Sequence, residues 1–121
     1  MVVKASIIIP VYNAEDTVRR AIDSAVNQTT DEPYEVILID DGSKDESAAI
    51  LDEYADRYAY VRVIHQDNQG ITRTRENGIK ISQGEFVFWV DSDDYADAHL
   101  LEKTLPLLES GADVVIYGTQ Y

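Results

Sequence analysis

The sequence predicts an α/β fold in which an open, mostly parallel β-sheet carries helices on both faces. Short apolar segments rich in β-branched residues alternate five times with segments of helical periodicity. The apolar segments are nearly continuous, as in strands that are buried on both faces. Polar clusters directly follow four of these segments. In open parallel sheets, that end of the strands is where ligands bind.

The first half of the chain gives the clearest elements. We expect strands at Lys4–Val11 and Tyr34–Ile39. Between them, apolar residues at helical spacing predict a helix over Glu15–Asn27, with Asn13 as its N-cap. The segment Ser43–Glu46 fits a capping box, which predicts that the second helix begins there.

The second half continues the alternation. We expect a short strand at Tyr60–Ile64, a helix at Ile71–Ser82, a strand at Glu85–Val90, a helix at about Ala98–Glu109 and a fifth strand at Ala112–Tyr117. Pro106 lies inside the last helix, where the ring removes a hydrogen bond, so a kink or split is expected near Thr104–Leu105.

Composition bounds the function. The 121 residues are enough for one domain or part of one, and no apolar run is long enough to span a membrane. The net charge of −13 argues against nucleic-acid binding, and it would repel a diphosphate unless a cation were bound. The chain contains no cysteine and starts without a signal-peptide pattern. We expect a cytoplasmic protein, with peripheral attachment at the inner face of the membrane left open.

The acidic segment Asp91–Asp94 follows the fourth predicted strand. If the strand geometry continued, Asp91 and Asp93 would point to the same side. Carboxylate oxygens at such a place suit Mg²⁺ or Mn²⁺, which take one or two carboxylates together with substrate phosphates. The alternative is a turn that caps the following helix.

Two further clusters follow the first and second strands. In Pro10–Asn13, Tyr12 could stack on a nucleobase, or it could simply pack on the first helix. In Asp40–Ser43, Asp41 could accept a hydrogen bond from a base or a ribose, or it could belong only to a turn.

The main basic feature near this edge is Asn68–Gly70 with Arg73 and Arg75. Arg75 could pair with phosphate oxygens, whereas Arg73 is expected on a solvated helix face. His65 and His99 have no partner at metal-ligand spacing and are expected to be structural. The sequence carries no serine-hydrolase, dinucleotide-binding or P-loop motif.

These motifs, in this order and spacing, resemble the family 2 inverting glycosyltransferases, which have the Rossmann-like GT-A fold. The matching segments cover nearly the whole chain: Ser6–Asn13, Glu35–Ser43, Asn68–Gly70, Gly84–Phe86 and Asp91–Asp94.

The resemblance implies a donor site for a nucleotide sugar, commonly UDP-linked. Pro10, Tyr12, Asn13 and Asp41 would hold the base and ribose. Asp91–Asp94 would be a DxD-type motif, with Asp91, Asp93 and Asp94 as candidate ligands of Mg²⁺ or Mn²⁺ and Asp93 favoured. Asp91 and Asp93 would also contact the ribose or sugar of the donor, and Arg75 would be the seventh residue that binds the nucleotide sugar.

Sugar transfer by family members builds capsule, lipopolysaccharide, cell-wall and protein-linked glycans. The implied acceptor is therefore a glycan, a lipid-linked or a protein hydroxyl.

The sequence departs from the family pattern in two respects. Glu76 stands where the family commonly has Asn after the matching Arg75, and a carboxylate there either weakens diphosphate binding or faces solvent. Family members also continue beyond the point that corresponds to Tyr121, where this sequence ends.

The resemblance therefore implies that residues 1–121 are the nucleotide-sugar-binding half, truncated after about five strands, without the acceptor half. No catalytic residue is expected in this half, because the family's general base is expected beyond Tyr121. Such a chain would bind donor but transfer little sugar, and an exposed sheet edge could pair two copies.

Three other classes share some of these features. A phosphotransfer receiver domain expects an isolated phospho-accepting Asp after its third strand and a Lys after its fifth, whereas here the third strand ends in His65-Gln66-Asp67 and no Lys follows the fifth. A sugar-phosphate nucleotidyltransferase expects a Gly-rich basic loop after its first strand, unlike Pro10–Asn13. A non-catalytic nucleotide-binding or interaction module of the same fold stays open.

Overall fold

The computed structural model describes residues 2–111, which form a four-stranded parallel sheet of order β3-β2-β1-β4. The elements are β1 Ala5–Val11, α1 Val18–Val26, β2 Tyr34–Asp40, α2 Ser47–Arg57, β3 Val61–His65, α3 Ile71–Ile81, β4 Phe86–Trp89 and α4 Leu100–Glu109. This is the predicted α/β architecture, with a parallel sheet.

Two sequence-based predictions concern the C-terminal part of the chain. The predicted fifth strand, Ala112–Tyr117, lies outside the described residues, and so does Tyr121. The placement of the general base beyond Tyr121 therefore stays a prediction.

Alternation along the strands places apolar side chains on both faces of the sheet, and each face has its own core. Ile7, Ile9 and Leu38 belong to the larger core, which α1, α2 and α4 cover. Ile8 and Ile37 belong to the smaller core, beneath α3. Helices therefore cover both faces, as the continuous apolar strands predicted.

Gly78 lets α3 lie close to the sheet. A Cβ atom at this position would come within 2.8 Å of Ile8 Cγ2 and 3.0 Å of Ile39 Cδ1. These distances are shorter than a normal van der Waals contact, so a larger side chain would push the helix away. The close packing therefore holds the C-terminal half of α3 against β1 and β2.

The predicted helix starts are wrong in two places. The first helix begins at Val18 rather than Glu15, and the second begins at Ser47 rather than Ser43. The side chains of Asn13 and Ser43 cap neither helix, because each bonds the other's loop. Ser43 Oγ accepts from the Asn13 amide at 2.9 Å, and Asn13 Oδ1 accepts from the Lys44 amide at 2.8 Å.

Pro106 does not split the last helix, which runs without interruption from Leu100 to Glu109. The residue lies near the C-terminal end, where few turns follow it. Within residues 2–111, no helix has the length and apolar character needed to cross a membrane.

Candidate functional site

A cavity of about 500 Å³ lies at the carboxyl ends of the parallel strands. The loops after β1, β2, β3 and β4 all contribute to it. Six of the seven residues predicted to bind a nucleotide sugar line this cavity: Pro10, Tyr12, Asn13, Asp41, Asp91 and Asp93. The topology therefore brings together residues that are up to 83 positions apart, from Pro10 to Asp93.

The loop after β1 is clamped to the loop after β2. Besides the two bonds between Asn13 and the 43–44 segment, Ser47 Oγ accepts from the Ala14 amide at 2.9 Å and Asp45 Oδ2 accepts from the Glu15 amide at 3.1 Å. Asn13 has a φ of 48°, a left-handed conformation that Asn tolerates better than most residues. The clamp presents Tyr12 to the cavity with half of its surface exposed.

Asp41 is buried, and four donors surround its carboxylate. Oδ1 accepts from the Gln69 amide at 2.8 Å and from Gln66 Nε2 at 2.9 Å. Oδ2 accepts from the Gly70 amide at 3.1 Å and from Asn68 Nδ2 at 3.3 Å. Burial raises the pKa of Asp41, but these hydrogen bonds outweigh burial and leave the pKa below its ordinary value.

The four donors fill the acceptor capacity of a carboxylate, which is about four lone-pair positions. Asp41 therefore organises the loop after β3 from its place in the loop after β2. Gly42 brings these two loops together, because a Cβ atom there would lie 2.8 Å from the Asn68 nitrogen. Its φ of +79° also favours glycine.

The acidic segment forms a turn rather than a continuation of the strand. β4 ends at Trp89, and the Asp94 amide donates to the Asp91 carbonyl at 3.0 Å. The expectation that Asp91 and Asp93 alternate as in a strand is therefore wrong, because this hydrogen bond curls the backbone. Both side chains are nevertheless exposed and line the cavity.

Asp94 differs from its two neighbours. It is 8% exposed, and its Oδ1 accepts from the Tyr95 amide at 2.8 Å. It lines a second cavity, of about 480 Å³, rather than the first. Its carboxylate thus belongs to the turn itself, and it caps no helix, because α4 begins only at Leu100.

Arg75 lies on the second cavity as well, together with Trp89 and Glu76. Its guanidinium lies 5.6 Å from the centroid of the Trp89 ring, and Nη2 is 3.5 Å from Asp91 Oδ1. Asp91 borders both cavities, so Arg75 lies beside the predicted nucleotide site rather than inside it. Glu76 is exposed, which agrees with the solvent-facing alternative.

His65 joins β3 to its neighbours, as expected for a structural residue. Nδ1 lies 2.8 Å from Asp40 Oδ2, and Nε2 lies 2.8 Å from Asp52 Oδ1. These two carboxylates raise the pKa of the imidazole. The second histidine, His99, is exposed and pairs with Glu102 at 3.1 Å.

Several residues at the cavity were not predicted. Thr17 and Thr74 line it, and the Thr74 hydroxyl donates to the Gly70 carbonyl and accepts from Gln66 Nε2. Arg20 does not line it, but its Nη2 donates to the Asp93 carbonyl at 3.1 Å. Hydroxyl and guanidinium groups on helices carry no local signal of such long-range partners.

The donor set of the acidic turn fits Mg²⁺ or Mn²⁺. Within residues 2–111 no cluster of three or more His, Cys, Asp or Glu side chains could hold a metal ion. Two exposed carboxylates beside an open cavity match the one or two that Mg²⁺ takes when phosphate oxygens and water complete its coordination.

Known proteins share this sequence and fold. Residues 6–121 match the family model of glycosyl transferase family 2. The uncharacterized glycosyltransferase EpsJ of Bacillus subtilis (strain 168) is 41% identical over 103 residues, covering 85% of this chain and 30% of EpsJ. The poly(ribitol-phosphate) beta-glucosyltransferase of Bacillus spizizenii is 46% identical over 101 residues, covering 81% of this chain and 16% of that enzyme.

Among solved structures, residues 1–349 of TarS from S. aureus in complex with UDP-GlcNAc match with a TM-score of 0.79 and 30% identity. That match covers 88% of this chain and 31% of the TarS chain. The chain thus spans less than a third of the length of these relatives. The family match over nearly all of the sequence, together with the parallel sheet and its polar edge, confirms the resemblance, and the chain belongs to glycosyl transferase family 2.

Proposed function

We propose that the cavity binds the UDP part of a nucleotide-sugar donor, and that residues 1–121 are the donor-binding half of a metal-dependent, inverting glycosyltransferase. One observation carries the proposal: an exposed aromatic ring, Tyr12, and two exposed carboxylates, Asp91 and Asp93, line the same cavity of about 500 Å³. That volume lies within the usual range of ligand pockets. The structural neighbour in complex with UDP-GlcNAc supports the choice of donor class.

In this proposal, Tyr12 stacks on the base, since every nucleobase offers a face to an aromatic ring. Pro10 and Asn13 shape the wall beside it, and Asn13 keeps the loop in place through its bond to Lys44. Asp41 holds the opposite wall, formed by Asn68 and Gly70. A direct contact between Asp41 and the nucleotide remains a prediction and would require one of its four present donors to move.

The diphosphate is proposed to lie against the acidic turn. Asp91 and Asp93 would hold the cation there. Asp94 is the weakest of the three candidates, because it is buried and already bonds the Tyr95 amide. When bound, Mg²⁺ or Mn²⁺ supplies Lewis-acid stabilisation of the charge that develops on the leaving UDP. Arg75 would reach the diphosphate only by leaving Asp91.

The general base is proposed to lie beyond Tyr121, since no carboxylate in the sequence up to that residue matches the family's motif for it. We therefore propose donor binding with little or no sugar transfer by residues 1–121 alone. The acceptor is proposed to be the hydroxyl of a glycan, a lipid-linked or a protein substrate, which that base would deprotonate for attack on the anomeric carbon with inversion. Pairing of two copies through a sheet edge stays a prediction.

The test is calorimetric titration of UDP into the protein with Mn²⁺ and again with EDTA. The expected result is saturable binding with Mn²⁺ and none with EDTA, because the net charge of −13 repels a diphosphate. Equal affinity in both buffers would contradict metal dependence. Absence of binding in both would favour the alternative, a module that keeps the fold without binding nucleotide sugars.

A further inference from the structure

One stripe of polar side chains on α1 faces the segment that follows β4. Thr17, Arg20, Ser24 and Gln28 are spaced three or four residues apart, so on a helical path they fall on one side. Thr17 directly precedes the helix and Gln28 lies just beyond it, so the stripe extends past both ends of α1. In the sequence these residues look like an ordinary solvated face of an amphipathic helix.

Each member of the stripe bonds the backbone of residues 92–101, in register with the chain. The Thr17 hydroxyl donates to the Ser92 carbonyl at 2.9 Å, and Arg20 Nη2 donates to the Asp93 carbonyl at 3.1 Å. Ser24 Oγ accepts from the Ala96 amide at 2.9 Å.

Gln28 completes the series from both ends of its amide. Its Nε2 donates to the Asp97 carbonyl at 2.7 Å, and its Oε1 accepts from the Leu101 amide at 3.0 Å. The Arg20 guanidinium also lies 4.7 Å from the centroid of the Tyr95 ring, which adds a cation–π contact. The stripe therefore holds the acidic turn and the segment that follows it from one helix.

We infer that this stripe of Thr17, Arg20, Ser24 and Gln28 is a positioning device that fixes the acidic turn for the cation and the diphosphate. The inference rests on the proposed function. Asp91 and Asp93 are exposed side chains on a turn whose internal backbone bond is a single contact, from Asp94 to Asp91. Without the stripe, that turn would have to become ordered at the moment of binding, and the lost conformational freedom would weaken affinity.

Arg20 and Ser24 act at a distance, because neither lines the cavity. The groups that they bond, a carbonyl and an amide, belong to the main chain. Arg20 and Ser24 therefore hold the backbone itself, whatever side chains it carries. The carbonyl oxygens of residues 92 and 93 are the atoms restrained on either side of the Asp93 side chain.

The test compares Arg20→Met and Ser24→Ala with the matched control Arg19→Met. Arg19 is the adjacent arginine on the same helix, but it pairs with Glu53 of α2 at 2.8 Å and does not contact the turn. Both arginine variants remove one positive charge, and Ser24→Ala removes none. Amide hydrogen exchange of residues 92–97 is measured in the protein without ligand, and UDP affinity is then measured by calorimetry with saturating Mn²⁺.

We expect faster exchange in residues 92–97 for Arg20→Met and Ser24→Ala but not for Arg19→Met. We also expect the UDP affinity with Mn²⁺ to fall by roughly fivefold to tenfold in Arg20→Met and in Ser24→Ala, which corresponds to the loss of about one hydrogen bond. The binding stoichiometry should stay the same. A merely structural role would instead lower the stoichiometry through unfolded protein and leave the affinity of the folded fraction unchanged.

Two results would overturn the inference. One is unchanged exchange in residues 92–97 of both stripe variants, which is independent of any ligand. The other is faster exchange with unchanged UDP affinity, since the turn would then be held for no binding purpose. Failure of the proposed function has a separate signature, namely that the unaltered protein shows no Mn²⁺-dependent UDP binding.

Discussion

Replacing Asp41 by Asn tests whether this buried carboxylate organises the site. The substitution conserves shape but removes the charge and turns one oxygen into an NH₂ group. Either orientation of the new amide aims its NH₂ at a backbone N–H, because Oδ1 faces the Gln69 amide and Oδ2 faces the Gly70 amide. At least one buried donor therefore loses its acceptor.

The magnitude follows from the four bonds. A hydrogen bond to a charged group contributes about 1.5–3 kcal/mol, and leaving a buried donor unpaired costs about 1–3 kcal/mol. The side-chain donors Gln66 and Asn68 can turn toward water, so the main loss comes from one backbone amide and from the weaker bonds to a neutral acceptor. We expect Asp41→Asn to lower the free energy of unfolding by about 2–4 kcal/mol, a large share of the ~5–15 kcal/mol typical of domains.

The assay is urea denaturation followed by circular dichroism, without ligand, at pH 7. Asp93→Asn is the matched control, since Asp93 is an exposed carboxylate on the same cavity. That variant should keep its stability and lose Mn²⁺-dependent UDP binding. A loss of less than about 0.5 kcal/mol in Asp41→Asn, the usual range for surface substitutions, would refute the reasoning.

The pH dependence gives a second check with a defined sign. Because the pKa of Asp41 is lowered in the folded state, its stabilisation is complete above the unfolded pKa of about 3.9 and is lost as the pH falls through the folded value. The stability gap between the wild type and Asp41→Asn should therefore be constant near neutrality and narrow below about pH 4. A gap that widens in acid would contradict the assignment.

Three further predictions concern the loops around the cavity. His65→Gln should lower the melting temperature, relative to the wild type, by more at pH 6 than at pH 8.5. Protonated His65 stabilises the fold fully below about pH 6.5, and this stabilisation is lost as the pH rises through its raised pKa. His99→Gln is the control. Gly42→Ala should lower the free energy of unfolding by about 2–4 kcal/mol, measured by chemical denaturation. The alanine would be strained by the positive φ of this position, and its Cβ atom would clash with Asn68. Tyr12→Ala should leave stability unchanged but weaken UDP binding by about 1–3 kcal/mol in calorimetry, and unchanged affinity would exclude stacking.

The sheet could be predicted from the sequence because its information is local. Continuous apolar runs such as Ile7–Ile9 and Val36–Ile39 can be satisfied only by burial on two faces. The alternation with helical segments then leaves a parallel sheet, and the polar residues after each strand must meet at one edge. The same logic predicted the cavity that Tyr12, Asp41 and Asp93 share.

The helix starts and the shape of the acidic turn could not be predicted, because their hydrogen bonds join distant loops. Asn13 and Ser43 have the composition of caps, yet each finds a partner about 30 residues away. The contacts of the polar stripe on α1 could not be predicted for a related reason. Arg20 donates to a backbone carbonyl, which every residue carries, so the sequence of the turn gives no sign of its partner.

The two kinds of aspartate at this edge predict where the proposed cation would act. Asp41 is surrounded by uncharged donors that stabilise its negative charge within the fold. Asp91 and Asp93 are exposed; Arg75 Nη2 lies 3.5 Å from Asp91 Oδ1, and Arg20 Nη2 donates to the Asp93 carbonyl. Their charge has to be balanced when an anion arrives. We therefore expect the metal to act at the acidic turn, in addition to offsetting the net charge of the chain, and we expect the order of that turn's backbone to affect how well the cation is bound.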